Sequence, residues 1–353
     1  MKLSRCPYLV QKEILDHLSV NNIFFLSLCS KNTMNFIKEI QKDQLKKVES
    51  LQYRFDGNMP FIKMKTVYDN DFNCHVILLY ESKAEVDKNI DTVEEVSVDE
   101  LGPAMIFFRS TDKRSDLKVK YGPDTLKSIT EAIHNHLYIL LGDNTKYTMD
   151  FFLTGLTYIP MLRNIQMWRH SEDYVESITV DEFIERSTCL KFFSWTSDSD
   201  KKHQMRDGSK IYEIDSLDVS VDGPVTTDIL KHFEGRHASI GSSTMKVADV
   251  VQFLNAWKSG EKFRKLEDMK IFNRSAFWEI PNLVEVKNVG KKVTYFYKDI
   301  FCDMLPDELW EIKSDLYMVR DSDGHVASLE LSQTGLLLSV WDMTEKEFLA
   351  KYQ

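Results

Sequence analysis

An apolar pattern of the form L-x-x-L-x-L recurs through the second half of the chain, and it limits the possible folds more than any other feature of the 353 residues. Its instances are Leu162/Ile165/Met167, Leu190/Phe193/Trp195, Ile214/Leu217/Val219 and Leu266/Met269/Ile271, with a degraded fifth at Ala238/Ile240. The central positions step by about 24–28 residues, with one double step of about 52 that the degraded copy divides. Helical stretches at Val180–Arg186, Thr226–Phe233 and Val247–Trp257 lie between the strand signals. A strand-then-helix unit of this size cannot bury its apolar edge alone, so the units are expected to stack into an arc with a sheet on its inner side.

The step lies in the range of leucine-rich repeats. The Asn or Cys that ladders the turn in regular versions is missing, because His170, Asp198, Asp222 and Arg274 occupy those places. Residues 154–353 are therefore expected to form an irregular leucine-rich-repeat-like α/β domain. It ends in a β cap, where Leu316–Val319 and Val326–Leu331 flank Arg320-Asp-Ser-Asp-Gly, a D-G hairpin signal, and Leu336–Trp341 pairs alongside. Alternate residues of a strand face opposite ways, so Gln166, Trp168, Phe192, Ser194, Asp218, Lys270 and Phe272 are candidates for contact with a protein substrate.

The earlier segments follow other periods. Residues 1–45 read as three short helices: Leu9, Val10, Ile14, Leu15 and Leu18 share one broad face, Ser19 caps Ile23–Cys29, and Ser30 caps a helix burying Met34, Phe36, Ile37 and Ile40. Lys42–Lys47 continues it as a linker helix. Residues 46–153 form a strand meander with a backing helix: Phe61–Val67, Val76–Tyr80, Met105–Phe108 and Leu117–Tyr121 alternate at period two. The acidic stretch Glu81–Glu100 reads as a solvated loop. Gly122-Pro123-Asp124 opens a helix carrying Leu126, Ile129, Ile133, Leu137 and Leu140. The fold class is α+β.

Composition removes several functions. A net charge of −10 argues against a whole-protein grip on nucleic-acid phosphates. Five scattered cysteines, Cys6, Cys29, Cys74, Cys189 and Cys302, contain no CxxC pair and read as small buried hydrophobes of a reducing compartment. Lys12, Glu13 and Asp16 interrupt any signal peptide, and no apolar run approaches the roughly 20 residues of a membrane span, so the expectation is cytoplasmic or nuclear with no membrane partner. The common phosphate-binding, metalloprotease and hydrolase motifs are absent, and no cofactor is expected. His134-Asn135-His136 is a poor metal pair, since helical residues two apart do not face each other. Val319–Glu330 resembles an EF-hand loop, but a valine stands at the first ligand position and a hairpin turn explains it better.

Pro7, Leu9, Val10, Ile14, Leu15 and Leu18, in the spacing P-x-L-V-x-x-x-I-L-x-x-L, followed by Leu26-Ser-Leu-Cys-Ser-Lys, resemble an F-box. Gln11 stands where that pattern has an apolar residue, Leu9 where it has an acidic one, and Asn32 where many F-boxes have tryptophan. Separately, Asp249-Val-Val-Gln-Phe-Leu-Asn-Ala-Trp-Lys-Ser-Gly followed by Leu266-Glu267 resembles the signature of the type-2 F-box-associated region of nematode F-box proteins, and Val319-Arg-Asp-Ser-Asp-Gly-His-Val-Ala is similar to the end of those chains. The resemblance implies docking of residues 1–45 on a Skp-family adaptor through Pro7, Leu9, Val10, Ile14, Leu15, Leu18, Leu26, Leu28 and Lys31. Through the adaptor it implies cullin and RING subunits, with the remainder presenting an unknown protein substrate. The expected role is a non-catalytic substrate receptor of a ubiquitin ligase; the rival reading is an interaction scaffold with a degenerate F-box.

Overall fold

A computed structural model of the chain describes residues 5–56, 60–67, 75–81, 92–94, 106–109, 117–121, 125–152, 159–171, 177–197, 203–273, 284–298, 309–332 and 335–353. The chain divides into two compact units, Met1–Trp168 with Ser187–Cys189, and Arg169–Arg186 with Leu190–Gln353. The boundaries expected at 45/46 and 153/154 do not coincide with this division, because the N-terminal helices pack into the first unit.

The first unit opens with α1 (Tyr8–Asp16), α2 (Val20–Ser27), α3 (Lys31–Ile40) and α4 (Lys42–Leu45). Ser19 and Ser30 cap α2 and α3 as expected, accepting from the Asn22 and Thr33 amides at 3.3 and 3.0 Å. Six strands follow: β1 (Val48–Asp56), β2 (Phe61–Thr66), β3 (His75–Glu81), β4 (Thr92–Glu94), β5 (Ile106–Arg109) and β6 (Leu117–Tyr121). Then come α5 (Leu126–Leu141) and β7 (Lys146–Phe152). The strand order is β7-β1-β2-β3-β6-β5-β4, with β1/β7 and β3/β6 parallel and the other pairs antiparallel. Period two in β1 turns Leu51, Tyr53 and Phe55 into the core, where α5 buries Leu126, Ile129, Ile133, Leu137 and Leu140.

Two elements differ from the sequence expectation. The linker helix is a single turn, α4, and β1 begins directly after it at Val48. Within the acidic stretch, Glu81 ends β3 and Thr92–Glu94 is a strand paired with β5; residues 82–91, 95–100 and 122–124 lie outside the described residues. The next strand, β8 (Ile165–Ser171), runs across the division between the units.

The second unit contains α6 (Ser177–Arg186), β9 (Phe192–Thr196), β10 (Ser216–Ser220), α7 (Pro224–His232), β11 (His237–Gly241), α8 (Val247–Ser259), β12 (Asp268–Phe272), β13 (Lys287–Lys298), β14 (Leu309–Val319), β15 (His325–Leu331), β16 (Gly335–Thr344) and α9 (Glu345–Tyr352). Strands β9 to β12 are parallel neighbours; β16, β15, β14 and β13 extend the sheet antiparallel from β12. The register aligns Phe193, Leu217, Ala238 and Met269 in one row and Trp195, Val219, Ile240 and Ile271 in another, and all eight are fully buried. The degraded copy is thus a full strand of the array. On the antiparallel half, Trp341, Tyr317 and Val326 pack against Phe348 of α9.

The turn between β14 and β15 closes onto the end of α8. The Asp321 amide donates to the Lys258 carbonyl at 2.7 Å, the Arg320 guanidinium lies 5.5 Å from the centre of the Trp257 ring, and Arg320 Nη2 sits 2.8 Å from Asp323. This guanidinium holds the Asp323 carboxyl down at about 2. Gly260, at φ +75°, ends α8 in the left-handed region, and a Cβ there would lie 2.0 Å from Ser322 Oγ. The EF-hand-like stretch is therefore a hairpin turn, with Val319 paired to Val326. One expectation about cysteines is corrected: Cys6 and Cys189 are half-buried and Cys29 is exposed, all three as free thiols, while Cys74 and Cys302 lie outside the described residues.

Candidate docking surface

Helix α1 turns inward only part of the apolar face its sequence suggests. Its core-facing pair is Gln11 and Leu15, one helical turn apart. Leu15 is fully buried, and Gln11 satisfies its buried amide by donating from Nε2 to the Cys6 carbonyl at 2.7 Å. That rotation leaves Tyr8, Leu9 and Val10 at 58%, 76% and 44% exposure. The only other exposed large hydrophobics among the described residues are Val67, Ile139 and Phe272, so this turn concentrates what is elsewhere scattered. Neighbouring exposed apolar side chains make this turn the candidate interaction surface, whereas single exposed hydrophobics are ordinary.

The patch is held from beneath. Asp16, at the end of α1, accepts from Gln41 Nε2 at 2.8 Å and from Lys12 Nζ at 2.7 Å, and these donors, Lys12 first, keep its carboxyl below the usual carboxylate range. Ile23, Phe24 and Leu28 of the α2 segment and Met34, Ile37 and Ile40 of α3 make a small core. Phe36 is half-buried rather than interior. The helices are tied to the body of the first unit at α5: Ser27 Oγ and His136 Nε2 share a hydrogen bond of 2.7 Å, and the Phe24 and His136 rings meet edge-on at 5.8 Å.

The neighbouring His134 turns elsewhere. Its Nδ1 accepts from the Tyr53 hydroxyl at 2.9 Å, its Nε2 donates to the Arg163 carbonyl at 2.8 Å, and burial pushes its pKa down to about 4. Two histidines with separate partners form no shared ligand set. Among the described residues no group of three or more His, Cys, Asp or Glu side chains could hold a metal, and no helix is long and apolar enough to cross a membrane.

The expected docking residues separate by burial. Pro7, Leu9, Val10 and Lys31 are exposed, while Ile14, Leu18 and Leu26 are half-buried. Leu15 and Leu28 are interior, which corrects their placement at the surface: both anchor α1 and α2 from within. Tyr8 was missing from that set, and the Gln11–Leu15 spacing is the signal that would have placed it outside.

The expected substrate residues separate likewise. Ser194, Asp218 and Lys270 fall in one row with Ser239, and Ser194 Oγ donates to Asp218 at 3.2 Å. Phe272 is exposed at 46% on the same strand as Lys270. Trp168 and Phe192 are core, and Lys270 is buried as well; for these three the surface position expected from alternation is corrected. In β8 the alternation breaks, because Met167 and Trp168 are consecutive buried residues. Gln166 is half-buried and, with Trp168, belongs to the first unit, whereas the other five belong to the second.

Residues 3–44 match the F-box domain family, and the exposed turn of α1 lies inside that match. The chain thus carries an N-terminal helical F-box on a mixed α/β body with a strand-rich sheet. No curated protein and no solved structure matches the chain. F-box proteins are generally non-catalytic receptors, and this domain supports binding of a Skp-family adaptor.

Proposed function

We propose that the chain is the substrate-receptor subunit of an SCF-type cullin–RING ubiquitin ligase, acting in the cytoplasm or nucleus. The observation that carries this reading is the apolar turn Tyr8–Val10, turned to solvent within an F-box whose inner residues are already satisfied. A helix that leaves a leucine 76% exposed gains from a partner that covers it: burying a leucine-sized side chain is worth roughly 1.5–3 kcal/mol before the costs of association. The adaptor would link α1 to the cullin and RING subunits. The second unit, with its parallel strand–helix array of leucine-rich-repeat-like spacing and its likeness to a type-2 F-box-associated region, would present a protein substrate. Its contribution to ubiquitin transfer is positional, since holding a substrate beside a charged conjugating enzyme raises its effective concentration without a nucleophile or base of its own.

The test is co-expression with a Skp-family adaptor and capture of the complex. Leu9→Asp is expected to weaken adaptor capture by about tenfold to a hundredfold without altering the thermal transition. Undiminished capture by that variant would sink the docking model. Failure of the unsubstituted chain to bind any Skp-family adaptor would leave the interaction-scaffold reading.

A further inference from the structure

Helices α7 and α8 of the second unit flank a groove of about 460 Å³, within the size range of roughly 300–1,000 Å³ typical of ligand sites. Its wall on α8 carries Asp249 in the first turn and then a row of uncharged hydrogen-bonding side chains at helical spacing, Gln252, Asn255 and Ser259, with Thr227 of α7 also lining the groove. The three are the uncharged polar positions of the stretch that resembles the F-box-associated signature; the apolar positions Val250, Phe253, Leu254 and Trp257 are buried. The floor includes Phe253 and Phe263, whose rings meet edge-on at 4.9 Å.

Phe263 sits at φ +59°, a left-handed conformation that a bulky side chain adopts only under constraint. Such strain costs on the order of 1–3 kcal/mol and is concentrated at ligand clamps and other working sites. Here it holds an aromatic ring, itself 5% exposed, at the base of the groove.

The groove continues into a second hollow of about 270 Å³ that shares Lys231, Glu261, Lys262 and Phe263. Lys231, Lys262, Arg264 and Lys265 outnumber Glu234 and Glu261 there, four cations to two acids, on a chain whose net charge is −10. Among the described residues, Lys262 and Arg264 donate to the Lys231 and Gly260 carbonyls, and neither these two nor Lys265 has a carboxylate partner; Lys231 reaches Asp228 only at 3.9 Å. One end of the groove therefore has an aromatic floor and a single carboxylate, Asp249, which accepts from the Lys246 amide, and the other carries an excess of positive charge.

We infer that this groove binds a short peptide segment with an apolar side chain followed by acidic residues. The apolar side chain lies over Phe253 and Phe263, the peptide amides meet Gln252, Asn255 and Thr227, and the carboxylates reach Lys262, Arg264 and Lys265. The inference rests on the receptor reading and specifies the kind of substrate segment the second unit recognises.

The experiment uses the full-length chain purified with its adaptor and two fluorescein-labelled nine-residue peptide pools. Both pools carry leucine or phenylalanine at the third position. One has aspartate or glutamate at the last three positions, the other lysine. Fluorescence anisotropy is expected to show the acidic pool binding about tenfold or more tightly than the basic pool, with the preference shrinking as salt rises. The exposed double variant Lys262→Glu/Lys265→Glu is expected to abolish that preference, and Asn255→Trp, which fills the groove, to remove binding of both pools, while thermal melts of each variant match the unsubstituted chain. Equal affinity for the two pools, a preference unchanged in the double variant, or binding unchanged by Asn255→Trp would each overturn the inference. Adaptor capture is scored on the same preparations: peptide failure with capture intact refutes the groove alone, whereas loss of capture refutes the receptor reading.

Discussion

Helices α1 and α8 use similar apolar side chains to opposite ends. In α8, Val250, Phe253, Leu254 and Trp257 are all buried, Asp249 accepts from the Lys246 amide at 3.1 Å at the start, and Gly260 closes the end under the β14–β15 turn. In α1 the N-cap is Pro7, with no side-chain cap, and three consecutive large apolar residues face water while a glutamine faces inward. One helix is completed by its own chain. The other is held by Leu15, the Gln11 bond and the Asp16 bonds and leaves its first apolar turn uncovered, as the proposed docking role requires: free energy not spent in folding is available for association.

That contrast can be broken, most severely at Trp257. Trp257→Ala is expected to cost about 3–5 kcal/mol in a denaturant titration, because it empties a fully buried site and removes the ring under Arg320. A loss below about 1 kcal/mol would mean that α8 is not the organising element described here. Gly260→Ala is expected to cost about 2 kcal/mol, combining left-handed strain with a collision at Ser322.

A smaller effect is expected from pH. The Asp323 carboxyl is lowered from 3.8 to about 2 when folded, so the unfolded chain takes up a proton first as acid is added. The contribution of the Arg320–Asp323 pair is present above about pH 4 and is lost as pH falls through about 2. Hydrogen exchange at the Asp321 and His325 amides should speed up over that window, and Arg320→Gln should abolish the pH dependence. The smallest effect on stability is expected at α1, where Leu9→Asp should move the unfolding free energy by less than about 0.5 kcal/mol while adaptor capture falls. A large destabilisation there would erase the distinction between the two helices.

Much of this arrangement is legible in the sequence, and where it is not the reason is physical. Strand β2 follows local alternation, β9 to β12 are buried on both faces and do not, and the ladders Phe193–Leu217–Ala238–Met269 and Trp195–Val219–Ile240–Ile271 nevertheless fall where the L-x-x-L-x-L pattern places them. The parallel pairing of β1 with β7 is not legible, because it joins Leu51 to Tyr147 across nearly a hundred residues and no local pattern encodes a partner at that distance. At the docking surface the apolar positions were readable but their direction was not. Leu9 and Leu15 belong to one broad apolar face but lie about 120° apart around the helix, and with Gln11 bonded inward to the Cys6 carbonyl the Leu15 side is buried and the Leu9 side is exposed. The groove escaped notice for a related reason: Gln252, Asn255 and Ser259 are ordinary solvent-facing residues until α7 stands opposite them.

The contact between Trp257, Lys258 and Gly260 on one side and Arg320, Asp321 and Ser322 on the other joins two stretches about sixty positions apart into a single packed unit. A lineage that replaced the indole would remove the reason for the arginine, and any side chain larger than hydrogen at position 260 would demand a different serine-bearing turn. A substitution on one side should therefore be compensated on the other, as a matching pair of changes across the contact.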